Sequence, residues 1–337
     1  IGVARPVLEL LDHEPLGYVA SVGLSPDFLG GTAEGGFVLT MPLLANLEFN
    51  QIKVRGTARL NDAIASNVVG DMDVAGSALD VNLTEQSVEA KGEISIKGVP
   101  AELTWQRIFY MPDELQPPLL VSARLDAAAR ERLGLKINHL VQGTTPVTLQ
   151  IARLGDGPDR AMSVKADLSA AQLTFGGLGW TKPMGQRATV QLDVVKKPDG
   201  STDLENFRIL GDDIDVQGGI ALDPEHHLKE FYFSDFSVNR LTHIEISARV
   251  REDQVLEVKA DGPSYDGRQF FQSLFSAGQF EGAVEPDAPF GVDLTATIGT
   301  VYGFYDTTAR NVRVTAQKRG GRLVALEAKG ELSQGAP

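Results

Sequence analysis

SVEAKGEISIKGVPAELTW, residues 87–105, decides the fold class of this chain. From Ser87 to Lys97 the alternation is unbroken. Val88, Ala90, Gly92, Ile94 and Ile96 share one parity, and Ser87, Glu89, Lys91, Glu93, Ser95 and Lys97 share the other. Successive side chains of a strand point to opposite faces, so this is a strand with one dry face and one wet face. Gly98-Val99-Pro100 reads as a turn, after which Ala101, Leu103 and Trp105 resume the dry parity. The stretch is a β-hairpin.

The same pattern recurs in both directions. Upstream, Ile52 and Val54 open a strictly alternating run to Leu60. Downstream the dry parity passes through Val121 and Leu125, then Val147, Leu149 and Ile151, then Val164, Leu173 and Phe175. It continues through Val190 and Leu192, Val216 and Ile220, Ile244 and Ile246, Leu256 and Val258, and Val292 and Leu294. On the order of 15 strands with a turn signal about every 10 residues predict an all-β chain built as an antiparallel meander. Two short helices interrupt it. Asp126 is placed to cap 127–133, with Gly134 as the stop, and Asp266 to cap a helix carrying Phe270, Phe271, Leu274 and Phe275 on one face, a plug against the sheet. These marks suggest three segments: 1–155, ending around the first helix, then 156–262, then 263–337. A short phrase also repeats, Lys91-Gly92-Glu93-Ile94 and Lys329-Gly330-Glu331-Leu332, and more loosely around Gly56 and Gly218. Its glycine always falls on the dry parity, where it would leave room for a guest.

Composition removes several function classes. The formal charge of −14 argues against nucleic acid as a partner, because phosphate binding needs clustered Lys and Arg. There is no cysteine, hence no disulfide, thiolate nucleophile or zinc–thiolate site. No apolar run is long enough to span a bilayer, and no signal peptide is visible. The chain starts at Ile1 and ends in a linker-like Ser333-Gln334-Gly335-Ala336-Pro337, so we expect a segment of something longer.

No P-loop, dinucleotide fingerprint, nucleophile elbow or H-E-x-x-H helix occurs. His226-His227 follow a turn, where adjacent residues make poor joint ligands, and His243 has wet parity. Asp212, Asp213 and Asp215 resemble a carboxylate cluster, but with no basic residue or histidine nearby in sequence they read as a solvated strand. Trp105 has dry parity and Trp180 lies in a loop. No catalytic residue, metal or cofactor is expected.

Two layouts satisfy the alternation. Dry faces could bury each other in a sandwich or barrel, which reads as a structural or adhesive scaffold. Alternatively, one long sheet could curl into a U whose apolar inside stays open. Strands of about 10 residues have a contour near 33 Å, enough to bend around an acyl chain. Lipid tails exposed to water cost about 0.8 kcal/mol per methylene, so a continuous apolar track would remove a large barrier to crossing an aqueous space.

Several short motifs resemble the central region of bacterial AsmA-like envelope proteins of the YhdP type. They are Gly31-Thr32-Ala33-Glu34 with Met41-Pro42-Leu43, Lys97-Gly98-Val99-Pro100-Ala101 followed by Trp105, Ala123-Arg124-Leu125-Asp126 with Gly134-Leu135, and the passage from Gly262 to Phe275. The resemblance implies a periplasmic protein anchored in the inner membrane outside this segment. Its curled β-groove (a β-taco) would conduct phospholipid toward the outer membrane without catalysis. The dry-parity residues named above would then line the groove against acyl chains. Partner proteins at either membrane are not implied.

Overall fold

In the computed structural model the opening hairpin forms as β5 (Ser87–Ile96) and β6 (Val99–Ile108), with Gly92 opposite Leu103 and Ile94 opposite Ala101. The turn sits earlier than the sequence suggested. Lys97 and Gly98 both have positive φ, 48° and 75°, the pair a two-residue primed turn requires, so Val99 and Pro100 already belong to the second strand. Ile94, Ile96, Val99, Ala101 and Leu103 are buried while Lys91, Glu93, Glu102 and Thr104 are exposed.

The structure describes residues 2–3, 29–43, 51, 53–69, 72–153, 160–268, 291–305, 307–320 and 322–334. Among them lie 21 strands in one large mixed sheet of 18 strands and a small sheet of three. The chain divides into two compact units, residues 1–135 with 146–162, and residues 136–145 with 163–337.

In the first unit, β1 (Gly2–Val3), β2 (Leu29–Thr40), β3 (Lys53–Val69) and β4 (Met72–Leu83) lead to the hairpin and on to β7 (Leu119–Leu125), each antiparallel to the next. β3 is paired on both edges, by β2 and β4. α1 (Ala127–Arg132) follows, and the Asp126 carboxylate accepts from the Ala129 amide at 2.8 Å as its N-cap. Ala129 and Leu133 pack on Val99, Leu125 and Val147, and Arg132 donates to the Gly98 carbonyl at 2.7 Å, so α1 covers the Gly98 end of the dry face. β9 (Thr145–Arg153) carries Leu149 and Ile151 into the same apolar cluster as Ile94 and Leu103.

The second unit holds β8 (Val141–Gln142), β10 (Arg160–Asp167), β11 (Gln172–Phe175) and β12 (Trp180–Lys182), then β13 (Ala188–Lys196), β14 (Thr202–Gly211), β15 (Ile214–Leu222), β16 (Leu228–Val238), β17 (Thr242–Val250) and β18 (Val255–Asp266). It ends with β19 (Gly291–Tyr302), β20 (Thr307–Arg319) and β21 (Arg322–Gln334). From β13 to β21 each strand pairs with the next, antiparallel with one exception. β18 and β19 run parallel, Val258 opposite Leu294 and Ala260 opposite Ala296. A parallel pair needs a connection of a dozen residues or more, and residues 267–290 lie between these two strands in the sequence. The expectation of an antiparallel meander throughout is corrected here. The boundary expected after residue 262 falls inside β18, which runs on to Asp266. The four residues of the expected plug helix, Phe270, Phe271, Leu274 and Phe275, and Ile52, lie outside the described residues.

The strands of the second unit share a line of irregularities. Pairing shifts between Leu204 and Phe207, between Gln217 and Gly218, between Phe233 and Phe236, and between His243 and Glu245. These fall at one level, since Phe207 opposes Gly218, Gly218 opposes Phe233, and Phe233 opposes Ile246. A bulge bends its strand and increases local twist.

The candidate apolar face

The dry face of the second unit is the candidate site. Its floor is assembled by register: Val190 opposes Ile209, Ile209 opposes Val216, and Val216 opposes Phe236, which opposes Ile244. A second line runs Leu204, Ile220, Phe231 and Ala248, and Ala248 opposes Val258. Period-two alternation, reset by one residue at the bulges in β14 and β16, puts all of these on one side.

One end of this face is closed by the protein itself. β8, β11 and β12 form the small sheet, in which Phe175 opposes Trp180 and Leu173 opposes Val141 and Lys182. Leu173 and Trp180 join the same buried cluster as Ile214, Val216, Phe236, Val238 and Ile244. The cap is pinned to the floor where the Tyr265 hydroxyl donates to the Leu178 carbonyl at 3.1 Å. Burial pushes the Tyr265 phenol upward, with the Asp266 charge adding to the shift, so it stays a donor at all ordinary pH. Within the cap Lys182 is fully buried, and its ammonium donates to the carbonyls of Pro183 (2.9 Å) and Gln186 (2.8 Å). Burial lowers the pKa of Lys182 and the Asp167 charge opposes that shift.

Leu173 and Phe175, expected to line a groove, therefore belong to the small sheet that covers one end of the face. Trp180, expected in a loop, is in a cap strand and stacks on Phe175 at 5.4 Å. A run of rings leads outward from there. Phe175 meets Phe236 edge-on at 5.6 Å, Phe236 meets Phe233 at 6.4 Å, and Phe233 meets Phe207 at 5.5 Å and Phe231 at 5.1 Å.

Burial falls along this track. Val216 is 1% exposed and Phe236 3%. Beyond the bulge line Phe207, Phe231, Phe233, Ile220, Val258 and Leu294 are all half-buried. Of the other expected lining residues in this unit, Ile244 and Ile246 are buried, and Val164, Val190, Leu192, Leu256 and Val292 are half-buried. In the first unit Val54, Ile94, Ile96, Leu103, Val121, Leu125 and Ile151 are buried, and Val88, Trp105, Val147 and Leu149 are half-buried. The small sheet covers one end of the second unit's dry face, and beyond the bulge line its large side chains are half-buried although Ala248 is buried; in the first unit Val54 and Leu83, at the end away from α1, are buried too.

Two findings limit how much room that leaves. A Cβ on Gly218 would run into the Tyr232 carbonyl and the Phe233 ring, and one on Gly56 would run into the Phe37 ring. The dry-face glycines admit the protein's own neighbours, not a guest. Two hollows in these faces are also not lined by dry residues alone. One of about 1290 Å³ in the first unit is bounded by Ile94, Ala101 and Val147 but also by Glu93, Glu102, Ser122 and Arg124. One of about 460 Å³ in the second unit is bounded by Ile220 and Phe231 with Glu230, Arg249, Glu257 and Lys259.

The polar candidates find charge partners on neighbouring strands. Asp212 pairs with Arg187 at 3.2 Å, Asp213 with Arg240 at 2.8 Å and Asp215 with Arg208 at 2.9 Å. Arg187 and Arg240 come from distant parts of the sequence, whereas Arg208 stands only seven residues before Asp215 and meets it across the β14–β15 hairpin, a nearby basic residue that the sequence reading overlooked. His227 contacts Asp223 at 3.4 Å in a turn, and the His243 ring meets the Ser237 hydroxyl at 2.9 Å on the exposed face. Among the described residues no three His, Asp or Glu side chains are grouped to hold a metal, and no helix is long and apolar enough to cross a membrane.

No family model, curated protein or solved structure matches this chain.

Proposed function

We propose that this chain is a non-enzymatic lipid-binding segment whose dry faces take acyl chains, serving phospholipid movement between the two membranes of a bacterial envelope. The observation that carries the reading is the track from Phe236 through Phe233 to Phe231, which passes from fully buried under the cap to half-buried beyond the bulge line. Apolar side chains left partly in water at about 25 cal/mol per Å² are a standing gain for any hydrocarbon that covers them. The wet face is the opposite in character, crossed by ion pairs such as Arg249–Glu257 at 2.7 Å and Arg208–Asp215. An apolar side and a charged side on one ribbon suit a tail held in the protein with water outside.

The periplasmic setting, the anchor outside this segment and membership of the AsmA-like group rest on the short motifs around Gly31, Lys97 and Ala123 and are part of the proposal. Native mass spectrometry of the purified chain tests it. The reading expects bound phospholipid that survives dilution. A lipid-free protein that takes up none from phospholipid vesicles overturns it.

A further inference from the structure

Thr202 carries a buried hydroxyl with nothing to bond. It is the first residue of β14 and 5% exposed, and its Oγ1 has no hydrogen-bond partner. A buried polar atom left unpaired costs stability, so its presence calls for a reason. Register puts Thr202 on the dry face. It opposes Leu222 of β15, two residues before Leu204 opposes Ile220. On its other side it opposes Lys196 of β13, as Leu204 opposes Val194. Lys196 is the last residue of β13, is exposed, and shares the parity of Val190, Leu192 and Val194. Among the described residues of β13 to β19 it is the only charged side chain at a dry position paired in register. Directly opposed residues have Cβ atoms about 5 Å apart, so its ammonium and the Thr202 hydroxyl can meet on one small group.

Both residues lie at the end of the face away from the cap. The hollow of about 460 Å³ begins beside them, at Asp203 and Leu204, and continues past Ile220 to Phe231. From Thr202 to Ile209, in the capped cluster, β14 rises about 20 Å. Half the hydrocarbon thickness of a bilayer, which one acyl chain fills, is about 15 Å. A tail that lies on the face with its tip at the cap therefore leaves its polar end at Lys196 and Thr202. The carboxylates of this corner are engaged elsewhere. Asp203 has wet parity and pairs with Lys197 at 2.6 Å, and Asp199 accepts from the Ser201 hydroxyl at 2.6 Å.

We propose, resting on the acyl-chain reading above, that Lys196 and Thr202 hold the phosphate of a phospholipid whose tails run from this corner toward the cap. The ammonium and the hydroxyl both donate to phosphate oxygens, and the charged bond is the stronger. The test offers the whole chain detergent micelles with equal amounts of phosphatidylglycerol and the diacylglycerol of the same tails, and counts bound lipid by native mass spectrometry. The native chain should hold the phospholipid over the diacylglycerol by on the order of tenfold. Lys196→Gln should bring the two to near parity, and Thr202→Val should reduce the preference severalfold. Lys259→Gln, which removes the same charge from a wet position bordering the same hollow, should keep it. Thr202→Val should also leave the urea midpoint at or above the native value, because it deletes an unpaired hydroxyl without changing the shape. Equal loading of the native chain with both lipids, or a preference that survives Lys196→Gln, overturns the phosphate site and leaves the acyl-chain reading standing. A lowered midpoint for Thr202→Val overturns it as well, by showing the hydroxyl bonded within the protein. Uptake of neither lipid overturns both. Inorganic phosphate that binds the native chain, is lost in Lys196→Gln and is joined by no lipid would make this a site for the free ion and overturn the lipid assignment.

Discussion

Leu294 and Thr295 are neighbours in β19 that point to opposite faces, and replacing each by Asp separates lipid binding from folding. Leu294 lies half-buried between Val258 and Ala316, whereas Thr295 is exposed. Both replacements carry the same low strand propensity and the same charge. Without lipid, Leu294→Asp loses part of a leucine's burial, about 1–2 kcal/mol, and its carboxylate can still reach water. With an acyl chain across the face, the leucine contact is lost and the carboxylate is also pressed against hydrocarbon. The two effects together come to about 4 kcal/mol, close to a thousandfold in affinity. Thr295→Asp should cost well under 1 kcal/mol and leave affinity unchanged. The assay is quantitation of phospholipid co-purifying with each variant, with urea unfolding to confirm that both are folded. Equal lipid content in the two variants, or equal loss from both, refutes the assignment of faces. The half-buried position matters, because the same change at Ile94 or Ile246 would bury a charge in a packed cluster and unfold the unit.

Three further outcomes follow from the same packing. Phe236→Ala, at the joint between floor and cap, should cost about 3–5 kcal/mol of stability by urea unfolding, against a much smaller loss for Phe231→Ala. Gly218→Ala should destabilise by about 1–3 kcal/mol, because its methyl has only the Tyr232 carbonyl and the Phe233 ring to move into; a neutral result would contradict the close approach across the bulge line. Asp266 is held below the usual carboxylate range by hydrogen bonds and charge from Arg268, with a further hydrogen bond from Asn239. A depressed folded-state value means stability that is present above the unfolded value, about 3.9, and lost as pH falls through the lower folded value. Asp266→Asn should therefore flatten this part of the acid limb of the stability profile.

The hairpin of β5 and β6 was legible because its alternation runs unbroken on both sides of Gly98, although the turn itself is Lys97-Gly98 and not Gly98-Val99-Pro100, since Val99 and Pro100 can continue a strand. α1 was legible because Asp126 and Gly134 mark both ends. The cap was not. Its strands β8 and β12 are two and three residues long, too short for any period to register, and Trp180 is preceded by three glycines within four residues, Gly176, Gly177 and Gly179. Leu173 and Phe175 have the same alternation whether they floor a sheet or seal its end, so parity alone could not separate the two. The parallel joint between β18 and β19 leaves no mark in either strand, since direction is set by the connection between them. The carboxylates of Asp212 and Asp213 looked unpaired because Arg187 and Arg240 reach them from distant parts of the sequence, and that of Asp215 because Arg208, seven residues before it across the β14–β15 hairpin, was overlooked. The one local hint of the bulge line was Asn206, whose positive φ of 49° suits a short polar side chain.

The central claim is that hydrocarbon covers the dry face beyond the cap. Photocrosslinking with a phospholipid carrying a diazirine near the end of one acyl chain, followed by peptide mapping, addresses that contact atom by atom. The account predicts adducts on Phe231, Ile220 and Leu294 and none on their wet-face neighbours Tyr232, Ala221 and Thr295. Adducts spread evenly over both sets, or confined to the wet-face residues, would contradict it.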